Sequence, residues 1–88
     1  MTEIHVEKRI HPVYEELREM KTIRPIIGKY QYIYSTEKGK ISLIVLPDYF
    51  HDGIDLWEIY VLEGKFFDDV ERFGTKEEAV KRIKSLLK

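Results

Sequence analysis

Two β-prone runs in this sequence are apolar on both of their sides, and this limits how the chain can fold. In the run 40–46, Ile41, Leu43 and Val45 alternate with a second apolar pair, Ile44 and Leu46. The run 56–62 has the same property. A sheet that is apolar on both faces needs a cover on both, and the chain's 88 residues are enough for one domain only.

Strands are predicted where β-branched and aromatic residues dominate between turn signals: 2–10, 30–36, 40–46, 56–62 and 66–73. The tripeptides at 37–39 and 63–65 contain Gly39 and Gly64 and have the composition of tight turns. The last four strands therefore form an antiparallel meander.

Two helices are predicted from apolar spacing and capping signals. Val13, Leu17 and Met20 recur at helical intervals after a proline suited to a first turn, which predicts a helix from about Pro12 to Lys21. A second helix follows Thr75, which forms a capping box with Glu78. The last helix carries one apolar stripe: Ala79, Val80, Ile83, Leu86 and Leu87.

These elements predict a single α+β domain over residues 1–88, in the order β-α-β-β-β-β-α, with both helices on one face of the sheet. The other face needs a second cover. Either a second copy or a protein partner docks there, or the segments 24–29 and 47–55 fold over it. The aromatic residues expected to form such an interface are Tyr30, Tyr32, Tyr34, Trp57 and Tyr60.

The composition indicates a thermophilic source. The chain has no asparagine or cysteine and a single glutamine, Gln31, while 35% of its residues are charged. Depletion of heat-labile residues together with Lys and Glu enrichment is typical of hyperthermophiles, so we expect an archaeal or archaeal-virus protein. The first residues are charged and the longest apolar run has only four residues, so neither a signal peptide nor a membrane span is predicted and a cytoplasmic location is expected.

Residues with catalytic or metal-binding chemistry are few and scattered. Without cysteine there is no thiol nucleophile, and no serine, histidine and acid fall into a known catalytic pattern. We therefore expect a non-enzymatic domain without cofactor or metal. The loop 48–55, with Asp48, His51, Asp52 and Asp55, matches no metal motif and has the composition of a turn, although cation binding there stays open.

Charge is uneven along the chain, although the net charge is only −1. Residues 47–73 hold eight acids against two bases, a sum of −6, which disfavours a phosphate backbone as partner. Nucleic-acid binding remains the alternative function, with tyrosines of the run 30–34 stacking on bases. Its cations would come from beside those tyrosines and from the last helix: Lys29, Lys38, Lys40, Lys81, Arg82 and Lys84.

One stretch carries a family pattern. Trp57-Glu-Ile-Tyr-Val, Gly64 and Phe73-Gly-Thr75-Lys-Glu-Glu78-Ala79 read as a strand, a turn, a further strand and a capped helix. Over residues 57–87 the chain resembles the three-stranded-sheet-plus-helix DNA-binding domains of plant AP2 factors and phage integrase arm-binding domains. The resemblance implies a sheet laid in the DNA major groove. It would bring one of two sets near the bases, either the four residues Glu58, Tyr60, Asp68 and Val70 or their opposite-face neighbours.

Overall fold

The computed structural model describes residues 3–19 and 26–88. Five strands and two helices follow one another in the predicted order. They are β1 (His5–Ile10), α1 (Pro12–Arg18), β2 (Tyr30–Thr36), β3 (Gly39–Leu46), β4 (Leu56–Glu63), β5 (Val70–Phe73) and α2 (Lys76–Leu87). All strands join one antiparallel sheet in chain order, which confirms the α+β prediction. The predicted end of the first helix and the first two residues of the segment 24–29 lie outside the described residues.

The helix α2 begins where the capping signal predicts. The Thr75 hydroxyl accepts a hydrogen bond of 3.2 Å from the backbone N–H of Glu78, which satisfies one of the unpaired donors at the helix start. Acidic residues in the first turn and Lys84 in the last turn suit the helix dipole. Its buried stripe consists of Ala79, Ile83 and Leu87.

We call the side of the sheet that α2 covers the helix face. The strand register places alternate residues of each strand there, and the buried core lies between them and α2. The strands contribute these buried residues: Tyr34, Ile41, Leu43 and Ile59. Burying such side chains contributes roughly 1.5–3 kcal/mol each, so α2 and the centre of the sheet form the main core.

The opposite face is also buried at its centre within one chain. Ile33 and Ile44 are each 6% exposed, and Leu46 is buried beside them. The predicted double-sided apolar sheet is therefore present, and its centre is covered without a second copy. The segment 47–55 is not an apolar cover, because its large side chains point to solvent.

A polar network crosses the opposite face beside these apolar residues. The Gln31 amide donates hydrogen bonds of 2.8 Å to the Ser42 hydroxyl and to the Tyr60 hydroxyl, and its oxygen accepts one of 3.1 Å from Arg9. The network joins four neighbouring strands. A buried amide needs such partners, and one that bonds to three strands at once fixes their register.

At one end of the sheet, which we call the turn end, the β2–β3 and β4–β5 connections pack closely. Gly39 and Gly64 both have positive φ, 152° and 97°. A Cβ on Gly39 would collide with the backbone oxygen of Glu63, and one on Gly64 would approach that of Lys38. Only glycine suits both positions, so the tight-turn signals mark a packed end of the sheet.

The last strand is shorter than predicted. It starts at Val70, whereas the sequence predicted a strand from Phe66. Phe66 and Phe67 are neighbours in the chain and both pack against the core, although successive residues of a regular strand point to opposite faces. Burying both rings on one side requires an irregular backbone there, and this outweighs their β propensity.

Candidate functional site

The five aromatic residues predicted as one interface do not share a surface. Tyr30, Tyr32, Tyr34 and Trp57 lie on the helix face, whereas Tyr60 lies on the opposite face within the Gln31 network. Tyr34 is 6% exposed, and its burial raises the pKa of its phenol. Tyr32 and Trp57 pack against the core beside α2. The expectation of one exposed aromatic face is thus corrected, because α2 occupies that face.

Lysine ammonium groups lie over the faces of three of these rings. The Lys76 ammonium lies 4.6 Å from the centre of the Tyr32 ring and 5.9 Å from that of Trp57. Lys8 lies 4.1 Å from the Tyr30 ring. Such cation–π contacts contribute about 0.5–1 kcal/mol at exposed sites, so these rings take part in intramolecular packing.

The cations predicted for nucleic-acid binding are spread over three places. Lys29 lies before β2 and near the Tyr30 ring, while Lys38 and Lys40 lie at the turn end, with Lys40 3.8 Å from Glu63. Arg82 is held by the Glu71 carboxylate at 2.9 and 3.2 Å, which raises its pKa. Lys81 and Lys84 are exposed on α2. The six do not form one track along the sheet.

Exposed apolar side chains concentrate at the end of the sheet opposite the turn end. We call it the loop end; it comprises the end of β1, the start of α1, the residues before β2 and the β3–β4 loop. Among the described residues, six large apolar ones are exposed there: Ile10, Val13, Ile26, Tyr49, Phe50 and Ile54. Clustered exposure of this kind marks interaction sites more often than scattered single residues do.

The most exposed of them belong to the β3–β4 loop. We call Tyr49, Phe50 and Ile54 the apolar tip; they are 47%, 67% and 60% exposed. The Tyr49 and Phe50 rings stack edge to face with centres 4.9 Å apart. Each ring therefore restricts the other.

Aspartates hold the loop under the apolar tip. The Asp48 carboxylate accepts a hydrogen bond of 2.6 Å from the Gly53 N–H, and Asp55 accepts one of 3.0 Å from the Asp48 N–H. Asp52 accepts one of 2.9 Å from Ile54. Asp48 and His51 adopt left-handed backbone with φ of 46° and 61°, which Asp and His tolerate better than most non-glycine residues do. The turn interpretation of this loop is supported, since each carboxylate binds backbone.

Histidine and aspartate side chains are the groups at this end that a catalytic or metal site would use. Among residues 3–19 and 26–88, no group of three or more His, Cys, Asp or Glu side chains is placed to hold a metal ion. His11 is used structurally, because its Nδ1 accepts a hydrogen bond of 3.1 Å from the Val13 N–H at the start of α1. Burial, followed by the charge of Arg9, lowers the pKa of His11.

The sequence contained a signal for the apolar tip that the prediction did not use. Adjacent Tyr49 and Phe50 stand between turn-forming aspartates, where most loops have small polar residues. Such a loop fixes its backbone through the aspartates and leaves its large side chains outside. The interface was predicted at aromatic residues in strands instead, because strand spacing alone does not reveal which face a helix will cover.

The residues implied by the DNA-binding resemblance lie mainly on the opposite face. Glu58 and Tyr60 are there with Val70, and Asp68 is exposed before β5. Glu58 accepts a hydrogen bond of 2.9 Å from Arg72, so the acidic group is paired within the chain.

Within the described part of the chain, neither helix is long and apolar enough to cross a membrane. No family model, curated protein or solved structure matches this chain.

Proposed function

We propose that this chain is a non-catalytic protein-interaction domain that binds a partner protein through the apolar tip. The observation that carries the proposal is the combination of exposure and rigidity in the β3–β4 loop. Three large apolar side chains are exposed on a backbone that four hydrogen bonds from within the loop hold in place. A preordered loop loses little conformational entropy on binding.

The side chains of the loop indicate which residues a partner segment should contain. Tyr49 and Phe50 fit an apolar groove, since aromatic residues are favoured at interface centres. Asp48, Asp52 and Asp55 surround them with negative charge. The partner segment should therefore combine apolar side chains with flanking Lys or Arg, because opposite potentials across an interface favour association.

The proposal is tested by selecting binders from a random peptide library displayed on phage, with the whole chain as bait. We expect enrichment of peptides that combine an apolar core with basic flanks, and loss of at least about tenfold in affinity with Phe50→Ser. Leu62→Ser is the matched control, since Leu62 is another exposed apolar residue but lies at the end of β4 nearer the turn end. If the selected peptides bind Phe50→Ser and Leu62→Ser equally, the apolar tip is not the binding surface.

Nucleic-acid binding is the second candidate, and one feature of α2 favours it. One shallow concave surface on α2 is lined by four lysines and three other residues: Lys76, Lys81, Lys84, Lys88, Glu77, Val80 and Ser85. The test is the fluorescence anisotropy of labelled single-stranded and duplex DNA at increasing salt. Phosphate binding falls steeply with salt, and Lys81→Glu combined with Lys84→Glu should abolish it. Absence of binding at low salt would eliminate this candidate.

A thermophilic, archaeal or archaeal-virus origin stays a prediction from composition. The structure adds a physical basis for high stability, because both faces of the sheet hold buried residues and the turn end is closely packed. We expect a melting temperature above about 80 °C by circular dichroism. A value near 55 °C, typical of mesophilic domains, would contradict a thermophilic source.

A further inference from the structure

We propose that two copies of this chain pair through their β1 strands, in an antiparallel register centred on Lys8. Among the described residues, β1 has a neighbouring strand on one side only. All six of its side chains are exposed, with Val6 at 54% and Ile10 at 39%. An edge strand of this kind offers unpaired backbone groups to another strand. The proposal concerns a different surface from the apolar tip and does not depend on it.

The backbone of β1 shows which groups face outward. The His11 N–H donates to the Lys29 oxygen at 2.8 Å, so His11 and the residues alternating with it direct their backbone groups toward β2. Val6, Lys8 and Ile10 therefore direct theirs toward the unpaired side. Two antiparallel copies related by a two-fold axis through Lys8 would form about six hydrogen bonds from these three residues.

The side chains favour this register over the one centred on Glu7. A two-fold axis perpendicular to the sheet keeps each face on its own side, so residues pair only with residues of the same face. Centring on Lys8 pairs Val6 with Ile10 of the other copy, and both lie on the helix face. It also pairs Glu7 with Arg9 of the other copy, and these lie on the opposite face. Centring on Glu7 would oppose two glutamates and place Arg9 against His5, so the pairing of opposite charges would be lost.

The central Lys8 residues do not prevent the pairing. Each Lys8 ammonium lies over the Tyr30 ring of its own chain at 4.1 Å, directed away from the outer edge. Its backbone groups remain available to the other copy. The two five-stranded sheets would become one continuous sheet, with both α2 helices on the same side. Contact is confined to one strand pair and is small compared with stable dimers, so we expect dissociation constants of about 1–100 μM.

Charge reversal with mixing tests the register. Glu7→Arg alone opposes arginines in both symmetric pairs, and Arg9→Glu alone opposes glutamates, so each variant should dimerise at least about tenfold more weakly than the unchanged chain. Mixed together, the two variants restore both oppositely charged pairs and should form a heterodimer. The measurement is sedimentation equilibrium between about 1 μM and 1 mM, the range that brackets the expected affinity.

Lys8→Pro keeps the test valid if a charge variant is destabilised. The Lys8 N–H faces outward, so proline removes a hydrogen bond to the other copy without removing one to β2. This variant should stay folded by circular dichroism and remain monomeric. A monomeric unchanged chain at 1 mM, or variants that fail to recover association when mixed, would overturn the proposal. Phe50→Ser should leave the dimer intact, so failure of this proposal is distinct from failure of the apolar-tip proposal.

Discussion

The two ends of the sheet differ in packing: the turn end is closely packed, whereas the loop end exposes large apolar side chains. At the turn end, Gly39 and Gly64 let two connections approach so closely that a side chain on either would collide with backbone. At the loop end, a nine-residue connection between β3 and β4 carries Phe50 and Ile54 in solvent. Close packing stabilises the fold, whereas exposed apolar area costs solubility and persists where it binds something. The comparison therefore separates the part of the molecule that supports folding from the part available for recognition.

The largest expected effect is at the turn end. Gly39→Ala should lower the free energy of unfolding by about 3 kcal/mol, the upper end for a strained residue, because its Cβ meets the backbone of Glu63 at positive φ. Gly74→Ala is the matched control, since nothing lies within 4 Å of the added atom. Urea denaturation measures both. Equal stability of the two variants would show that the turn end is not closely packed.

The second prediction concerns Gln31, a buried residue near the start of β2, on the side of the loop end. Gln31→Ala leaves the hydroxyls of Ser42 and Tyr60 and the guanidinium of Arg9 without this partner, and should cost about 2 kcal/mol. Ser42→Ala removes one acceptor only and should cost less. If thermal unfolding ranks these two variants in the reverse order, the network does not hold the four strands together.

The third prediction uses pH at the start of α1. Because folding lowers the pKa of His11, the unfolded chain binds more protons just below pH 6.5, and stability contributed by neutral His11 is lost as pH falls through that region. His11→Asn should keep the cap and remove this dependence, whereas His11→Ala should cost about 1 kcal/mol at pH 8. Urea titrations at pH 5 and pH 8 give the difference in free energy of unfolding between each variant and the unchanged chain. The assignment would be contradicted if His11→Asn lost more free energy of unfolding between pH 8 and pH 5 than the unchanged chain does.

The smallest effect on stability is expected at the apolar tip. Phe50→Ser should change the free energy of unfolding by less than about 0.5 kcal/mol, since the ring is mostly in solvent. Ile59→Ala, which truncates a fully buried residue, should cost about 3 kcal/mol. Calorimetric melting of both variants makes the comparison direct. A large loss with Phe50→Ser would assign this ring to the core and remove the distinction between the two ends.

The elements that were predictable from sequence are those bounded by strong local signals. β2 has the predicted bounds because turn residues limit it on both sides, and α2 begins directly after the predicted N-cap residue Thr75. The start of β5 was not predictable, since burial of Phe66 and Phe67 on one side depends on the core they reach. The position of α2 over Tyr34 and Leu43 likewise depends on tertiary packing.

The interface prediction failed for a reason that the strand period could have revealed in part. Trp57 and Tyr60 are three residues apart in β4, so they lie on opposite faces and could not share an aromatic surface. Which of the two faces stays accessible is not encoded locally. The apolar tip was recognisable by composition, yet the exposure of Tyr49 and Phe50 is a property of the folded loop and its aspartate hydrogen bonds.

We propose that the loop end, and neither face of the sheet, forms the recognition surface. The most direct measurement is a titration of isotopically labelled protein with a library-selected peptide, followed by amide chemical shifts. We expect the largest shifts between Asp48 and Asp55, with little change in β4 or α2. Shifts centred on α2 or on the strand residues around Tyr60 would contradict it.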